Sequence, residues 1–199
     1  MVLVLLAAAI ASAPPFAHGV APVTRAQLGR AWHAGCPVAP TALRRVWLRY
    51  WGLDGRAHVG ALDVNARAVA GVVAVFERLY AVRFPIRRLR PVGAYGGSDE
   101  RAEAADDTSG FNCRLALAAG PPRWSMHAYG LAVDVNPVEN PYLEGGRVHP
   151  AAGRAYLDRS RRRPGMATAG GVLVRAFAAI GWRWGARFGD FQHFSPTGT

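Results

Sequence analysis

The 199-residue sequence contains no lysine, so its formal net charge of +11 comes from arginine alone. A basic surface of this kind attracts polyanions. Nucleic acid and the anionic polymers of a cell envelope are both candidates on charge alone. The arginines are scattered along the chain and no nucleic-acid-binding motif is present, so we expect no nucleic-acid partner.

Cysteine is scarce as well. Cys36 and Cys113 are the two cysteines of the chain, which is too few for a zinc site built from cysteine. The sequence gives no distance between them. They form one disulfide, as an exported protein allows, or they remain separate thiols, and both alternatives stay open at this point.

The chain also lacks a long transmembrane run. Its longest apolar stretch at the N-terminus, residues 2–10, is followed by the small residues Ala11, Ser12 and Ala13. This length is typical of a signal-peptide core and too short to cross a bilayer comfortably. The basic segment that ordinarily precedes such a core is missing, which leaves an N-terminal helix, a misplaced start or an uncleaved membrane tether as alternatives. We predict a signal peptide in residues 1–19, cleavage near Ala13 and export to the periplasm or the extracellular space.

Internal repeats, a phosphate-binding glycine loop and regular βαβ alternation are absent too. Helices and strands are interspersed, which indicates an α+β fold. We predict a single compact domain in residues 41–199, with a small, mainly antiparallel sheet flanked by helices, and this length is enough to bury one core. Residues 20–40 are rich in alanine, proline and glycine and are predicted to be a linker or an N-terminal arm.

Hydrophobic spacing predicts two helices. The first lies in residues 62–82, with Asp63 or Asn65 near its start, and the second ends at Gly181. Further strands are predicted in residues 86–95 and 131–136, and one or two more near the C-terminus. The acidic run at 96–110 lacks the ligand spacing of a calcium loop and is predicted to be a solvated surface loop.

The strand predicted at 131–136 carries a polar group on one face. Alternation places Asp134 opposite three aliphatic side chains and beside a small and a polar neighbour. His127 lies seven residues upstream, and Gly130 between them can adopt backbone angles that other residues resist, so the chain can bring both groups to one ion. Both side chains are costly to bury unless something neutralises or binds them.

His193, near the C-terminus, is a third candidate ligand. Catalytic zinc sites commonly use three protein ligands drawn from histidine and carboxylate and keep a fourth position open. We therefore predict one zinc ion per chain, held by His127, Asp134 and His193, although structural roles for these residues remain an alternative. Asp190 is the natural general base, able to take a proton from the attacking water and return it to a leaving amine. Because Asp190 and His193 would face opposite sides of an ideal strand, we expect Asp190 on the loop after Gly189 or next to a bulge.

The segments "SMHAYGLAVDVN" and "GDFQHF" together resemble the zinc D-alanyl-D-alanine carboxypeptidase family, which includes phage and bacterial peptidoglycan endopeptidases. The pattern of that family is Ser-x-His-x-x-Gly-x-Ala-x-Asp, followed distantly by Asp or Glu, two residues and His. The resemblance covers roughly residues 60–195. Every position of the pattern is filled, by Ser125, His127, Gly130, Ala132, Asp134, Asp190 and His193.

The resemblance implies the fold of DD-peptidases and hedgehog-like domains, with the zinc site on the sheet. It also implies roles for two further residues. Arg114, in "FNCR", matches the arginine that polarises the scissile carbonyl and steadies the oxyanion, a role that suits a fixed cation with several donors. Ser125 would bind substrate or hold the turn of the site. The chain departs from the pattern at Ala186, where we expect a glycine, and it has no obvious separate cell-wall-binding domain.

The function implied is that of a zinc peptidase acting, as a monomer, on peptidoglycan stem peptides, with release of terminal D-alanine as the commonest outcome in the family. Cleavage between L-alanine and D-glutamate, or of a cross-link, is the alternative within the same class. A non-catalytic cell-wall-binding protein that retains the metal is the alternative from a different class. Asp190 argues against that last alternative, because a purely structural zinc site needs no base.

Overall fold

The computed structural model describes residues 13–117 and 121–199. The α+β class is confirmed: the described residues form two three-stranded antiparallel sheets, a two-stranded hairpin and four short helices. Most of the predicted signal peptide, residues 1–12, lies outside the described residues. Within the part that is described, no helix has both the length and the apolar character required to span a bilayer.

The first sheet is built from strands that the sequence analysis did not predict. Its order is β1 (His18–Pro22), β2 (Leu43–Trp51) and β3 (Ala57–Asn65). Alternate residues of β2 and β3 point to the same face of the sheet. The face that points into the domain is apolar and fully buried. These inner residues are Val46, Leu48, Leu62 and Val64.

The segment predicted to be a linker or an arm packs against the domain. β1 pairs along its whole length with β2. Helix α1 (Arg25–Leu28) follows it and ends on Leu28, whose side chain is buried in a small apolar cluster. The segment therefore contributes a paired strand and a short helix to the folded structure.

The first predicted helix starts later than its hydrophobic spacing indicates. Helix α2 spans Val69–Ala81, because Leu62 to Asn65 belong to β3. Asp63 does not start the helix. It forms a two-point ion pair with Arg45 on the neighbouring strand, with both N–O distances at 2.8 Å. Asn65 caps the 3-10 turn 66–68 that leads into α2.

The strand predicted in residues 86–95 is not a regular strand. Its extended part makes only isolated bridges, and residues 92–95 form a 3-10 turn. Pro85 and Pro91 supply the reason, because neither has an N–H group to donate to a ladder. The segment lies against the edge of β3, where a Cβ at Gly60 would come within 2.3 Å of the Leu89 carbonyl oxygen.

The acidic run 96–110 is also not a solvated loop. Ser98 caps helix α3 (Asp99–Ala104), whose first turn carries two acidic residues, as the helix dipole favours. The residues after α3 run under the domain surface, and Asp107 and Thr108 are fully buried.

The second sheet has the order β4 (Val133–Asp134), β8 (His193–Ser195) and β7 (Arg183–Trp184). The predicted second helix and the predicted C-terminal strands are confirmed, as α4 (Val172–Ala178) and as β7 and β8. A hairpin of β5 (Tyr142–Glu144) and β6 (Arg147–His149) completes the strands. The strand predicted at 131–136 is shortened to two residues, and the side chains on both of its faces are buried.

One apolar core joins the two three-stranded sheets. It contains Leu62 from β3, Phe76 from α2, Val133 from β4, Phe177 from α4 and Phe194 from β8. Close-packed side chains leave little room for movement, so this shared core fixes the position of β4 and β8 relative to the rest of the domain.

Cys36 and Cys113 form a disulfide, with their Cα atoms 5.8 Å apart and a separation of 77 positions in sequence. Of the two alternatives left open by the sequence, this is the first. Cys113 packs in the same small cluster as Leu28 and precedes Arg114 directly. The bond therefore ties the arm to the segment that carries the candidate arginine.

We expect the Cys36→Ser/Cys113→Ser double variant to unfold about 8–16 °C below the wild type. A cross-link closing a loop of this length removes unfolded-state entropy equivalent to about 4 kcal/mol, and 1 kcal/mol corresponds to roughly 2–4 °C in a chain of this size. Thermal denaturation of both proteins checks this, and reductant should lower the midpoint of the wild type only. Equal midpoints without reductant would contradict it.

Candidate active site

Two of the candidate ligands face each other on adjacent strands. Asp134 on β4 is the cross-strand partner of His193 on β8. The Asp134 Oδ1 atom lies 3.0 Å from His193 Nδ1, and both side chains are buried. Antiparallel pairing thus brings together groups that are 59 residues apart in sequence.

His127 reaches the same point from a 3-10 turn, Met126–Tyr129. Its Nε2 atom lies 3.0 Å from Asp134 Oδ2 and 3.2 Å from His193 Nδ1. Gly130 ends the turn at φ +65°, and a Cβ there would lie 2.6 Å from the Asn65 backbone nitrogen. A side chain at this position would therefore displace the turn, as the sequence analysis anticipated from the glycine alone.

Ser125 holds this turn. Its hydroxyl oxygen accepts a hydrogen bond of 3.2 Å from the His127 backbone N–H, and Ser125 is the N-cap residue of the turn. Ser125 also lines the cavity in front of the strands. Both roles considered for it in the sequence analysis are thus compatible with its position.

The backbone fixes which nitrogen of His127 is available. Its Nδ1 atom lies 2.6 Å from the Gly110 carbonyl oxygen, which can only accept, so Nδ1 carries the proton. The lone pair of Nε2 is then directed at the cluster, which is the arrangement typical of a histidine that binds a metal. The carbonyl comes from the segment after α3 that was predicted to be a solvated loop.

Electrostatics in the cluster are dominated by burial and by mutual contact. Burial alone would raise the pKa of Asp134, but His127 and His193 lower it below its ordinary value. Burial alone would lower the pKa of His127, but Asp134 raises it. Without a metal ion, a proton on His127 therefore offsets part of the charge of the buried carboxylate.

The donor set fits a zinc ion. Two imidazole nitrogens and a carboxylate oxygen lie within 4.8 Å of one another, and these are the ligand types that catalytic zinc sites use. The backbone acceptor on His127 supplies the outer contact that such ligands commonly have. Three protein ligands leave a coordination position free.

Asp190 lies beside this cluster, on the loop that enters β8. Gly189 precedes it at φ +75°, so the first of the two expected placements is the one found. The Asp190 Oδ1 atom is buried and has no hydrogen-bond partner in the described part of the chain. Burial raises the pKa of Asp190 to about 7, an effect that His193 reduces and Asp134 increases. An acid with such a pKa suits proton transfer near neutral pH.

Residues 119–196 match the sequence model of a family described as D-alanyl-D-alanine carboxypeptidase. The chain is a carboxypeptidase-like metallopeptidase. The matched residues include the three candidate ligands and Asp190 but not Arg114, and the resemblance read from the motifs is confirmed. Comparisons with curated proteins and with solved structures find no match.

Arg114 of the metallopeptidase is held at the rim of the site by a residue that the sequence analysis missed. Its Nε group forms an ion pair with Asp99 in the first turn of α3. The other oxygen of Asp99 accepts a hydrogen bond of 2.6 Å from the Asn112 side chain. The guanidinium is therefore fixed in position, and Arg114 lines the same cavity as Asp134 and Asp190.

The cavity in front of the ligands measures about 210 Å³. Glu103, from α3, lines it together with Gln192, and neither was identified from the sequence. The Gln192 side chain donates a hydrogen bond of 3.2 Å to Glu103 Oε1. Burial, followed by the carboxylates of Asp134 and Asp99, raises the pKa of Glu103 to about 8. No sequence motif marks this pair, because its members are 89 residues apart.

Ala186, the one departure from the family pattern, is accommodated without strain. It lies in the 3-10 turn Gly185–Phe188 and does not have a positive φ. The left-handed position in this loop is taken by Gly189. A glycine at 186 is thus not required for the path of the chain.

A second group of potential ligands in the described residues consists of His33, Cys36 and Cys113. Its two sulfur atoms are joined in the disulfide. Thiolate is the form of cysteine that binds metals, so this group offers only the histidine and is not a metal site in the oxidised protein.

Proposed function

We propose that this metallopeptidase is a zinc enzyme that hydrolyses peptidoglycan stem peptides and releases their terminal D-alanine. The observation that carries the proposal is the convergence of His127, Asp134 and His193 beside Asp190 in one cavity. The match to a D-alanyl-D-alanine carboxypeptidase family supports the substrate class.

In the proposed mechanism, His127 Nε2, His193 Nδ1 and a carboxylate oxygen of Asp134 would hold the ion. When bound, zinc supplies Lewis-acid chemistry, since it lowers the pKa of a water molecule and polarises a carbonyl group. Asp190 takes a proton from the water as the water oxygen adds to the carbonyl carbon. The same proton passes to the nitrogen of the leaving amine as the C–N bond breaks.

Arg114 stabilises the negative charge that develops on the carbonyl oxygen. Its Nε and Nη1 groups are engaged by Asp99 and by the Leu115 carbonyl oxygen, which leaves Nη2 for the substrate in the described structure. A donor held in place before the reaction needs no reorganisation when the charge appears.

Export to the periplasm or the extracellular space is part of the proposal, because the substrate lies outside the cytoplasmic membrane. The disulfide between Cys36 and Cys113 supports it, since such bonds persist in oxidising compartments. The net charge of +11 suits a surface that works next to an anionic wall.

Mass spectrometry of peptidoglycan fragments after digestion tests the proposal. We expect zinc-loaded protein to convert pentapeptide stems into stems that are shorter by one alanine. Cleavage between L-alanine and D-glutamate, or of a cross-link, would instead make the protein an endopeptidase of the same wall. Fragments left intact by protein that contains one zinc per chain would contradict the proposed hydrolysis and favour the non-catalytic wall-binding alternative.

A further inference from the structure

Glu103 carries a side-chain carboxyl group that lines the cavity and that the proposed mechanism does not use. It lies on α3, and its cavity wall also carries Gln192, directly before the ligand His193. Asp134 and Asp190 line the same cavity. Glu103 is therefore placed to contact a substrate without being a ligand or the base.

Hydrogen-bond acceptors outnumber donors at this wall. The Gln192 Nε2 group donates to Glu103, but Gln192 Oε1 is buried and has no partner in the described residues. Glu103 forms no ion pair there either, since the nearby arginine, Arg114, is bound to Asp99. Buried acceptors without donors are costly, so a ligand that brings N–H groups would be stabilised here.

The carboxyl groups at this wall favour a positively charged donor over a neutral one. An ammonium group offers three donors and a positive charge, whereas an amide N–H offers one donor and none. Burial and then the carboxylates of Asp134 and Asp99 raise the pKa of Glu103, and Arg114 offsets only part of this effect. An ammonium group placed against Glu103 would favour its charged form and so act against the same cost. Arg114 and Arg123 line the same cavity, so the cavity as a whole suits a peptide that carries both carboxylates and an ammonium group.

We propose that Glu103 and Gln192 bind the side-chain ammonium of a diamino-acid residue in the stem peptide. Glu103 is then a specificity-determining residue of the peptidase. This inference rests on the proposed function, because it takes stem peptides as the substrate. It goes beyond the proposed function by stating which part of the stem the cavity distinguishes.

The test compares two stem peptides that differ at one group. Both end in D-Ala-D-Ala and contain lysine as the diamino acid, with its side chain free in one and acetylated in the other. We expect the zinc-loaded wild type to prefer the free ammonium by about 10- to 100-fold in kcat/KM, the effect of a charge-assisted hydrogen bond. In Glu103→Gln the preference should fall below about threefold, mainly through a higher KM for the free-ammonium peptide.

Two variants serve as controls. Glu100→Gln removes the same charge from an exposed position of the same helix and should keep the wild-type preference. Glu103→Asp keeps the charge on a shorter side chain and should restore part of the preference. Zinc content and unfolding midpoint are measured for each variant. If Glu103→Gln slowed both peptides equally, or left the preference unchanged, Glu103 would be structural and the inference wrong.

Binding separates this inference from the proposed hydrolysis. The dissociation constants of both peptides are measured by calorimetry on zinc-loaded Asp190→Ala, with and without Glu103→Gln. Hydrolysis by the wild type without any preference overturns the inference and retains the proposed function. A binding preference that depends on Glu103 in a protein that hydrolyses neither peptide retains the inference and overturns the function. Failure to bind either peptide overturns both.

Discussion

Replacement of Asp190 by alanine should lower kcat for stem-peptide hydrolysis by about 10²- to 10⁴-fold, the range associated with loss of a general acid–base group. The Asp190 carboxylate adjoins the candidate metal ligands but is not one of them, and its buried Oδ1 atom has no partner in the described residues. We therefore expect the variant to retain one zinc ion per chain. Steady-state kinetics and metal analysis on the same preparation check both statements.

Asp54→Ala is the matched control for this experiment. Asp54 is an exposed aspartate in the turn between β2 and β3 and does not line the cavity. Its replacement should leave kcat unchanged. Full activity of Asp190→Ala would show that the proton is taken by another group, and the proposed base would be wrong even if the metal site were correct.

Replacement of His193 by alanine should abolish hydrolysis through loss of the metal. It removes one of three ligand atoms and leaves Asp134 facing His127 alone. Loss of an outer contact to a ligand costs 10- to 100-fold in metal affinity, so we expect loss of a ligand itself to exceed about 100-fold. Zinc titration with a competing chelator measures the affinity, and chelation of the wild type should abolish activity until zinc is added back.

His18→Ala is the control for this variant, because His18 is exposed on β1. It should bind zinc with the affinity of the wild type.

A fall in pH should weaken zinc binding, as His193→Ala does. Asp134 raises the pKa of His127, although burial alone would lower it, so protons compete with the ion increasingly as pH falls through that pKa. Tight zinc binding by His193→Ala would contradict the proposed ligand set.

The Asp99–Arg114 pair changes how the candidate oxyanion contact is understood. In a chain with 24 arginines, any one of them would ordinarily be a surface residue. Here the guanidinium is held by a carboxylate of α3, which Asn112 in turn holds in place. The acidic run that the sequence analysis assigned to solvent thus supplies both the anchor of Arg114 and, at Glu103, part of the cavity wall.

The sequence alone identified the candidate ligands and the candidate base. The reason is that His127, Gly130 and Asp134 lie in one short segment and Asp190 and His193 in another, so their spacing is visible without a fold. The position of Asp190 after Gly189 also followed from local reasoning. Side chains alternate between the two faces of a strand, so residues 190 and 193 cannot face the same side if both lie in it. The hydrophobic spacing identified α2 but not its start, since Leu62 and Val64 fit a strand as well as a helix.

Only the tertiary structure decided which distant groups meet. The pairing of β4 with β8 brings Asp134 within 3.0 Å of His193, and the disulfide joins cysteines 77 residues apart. Glu103 reaches Gln192 across 89 residues. Such contacts depend on which strands pair and which faces are buried in the common core, and these are properties of the whole packed chain that no local pattern of residues contains.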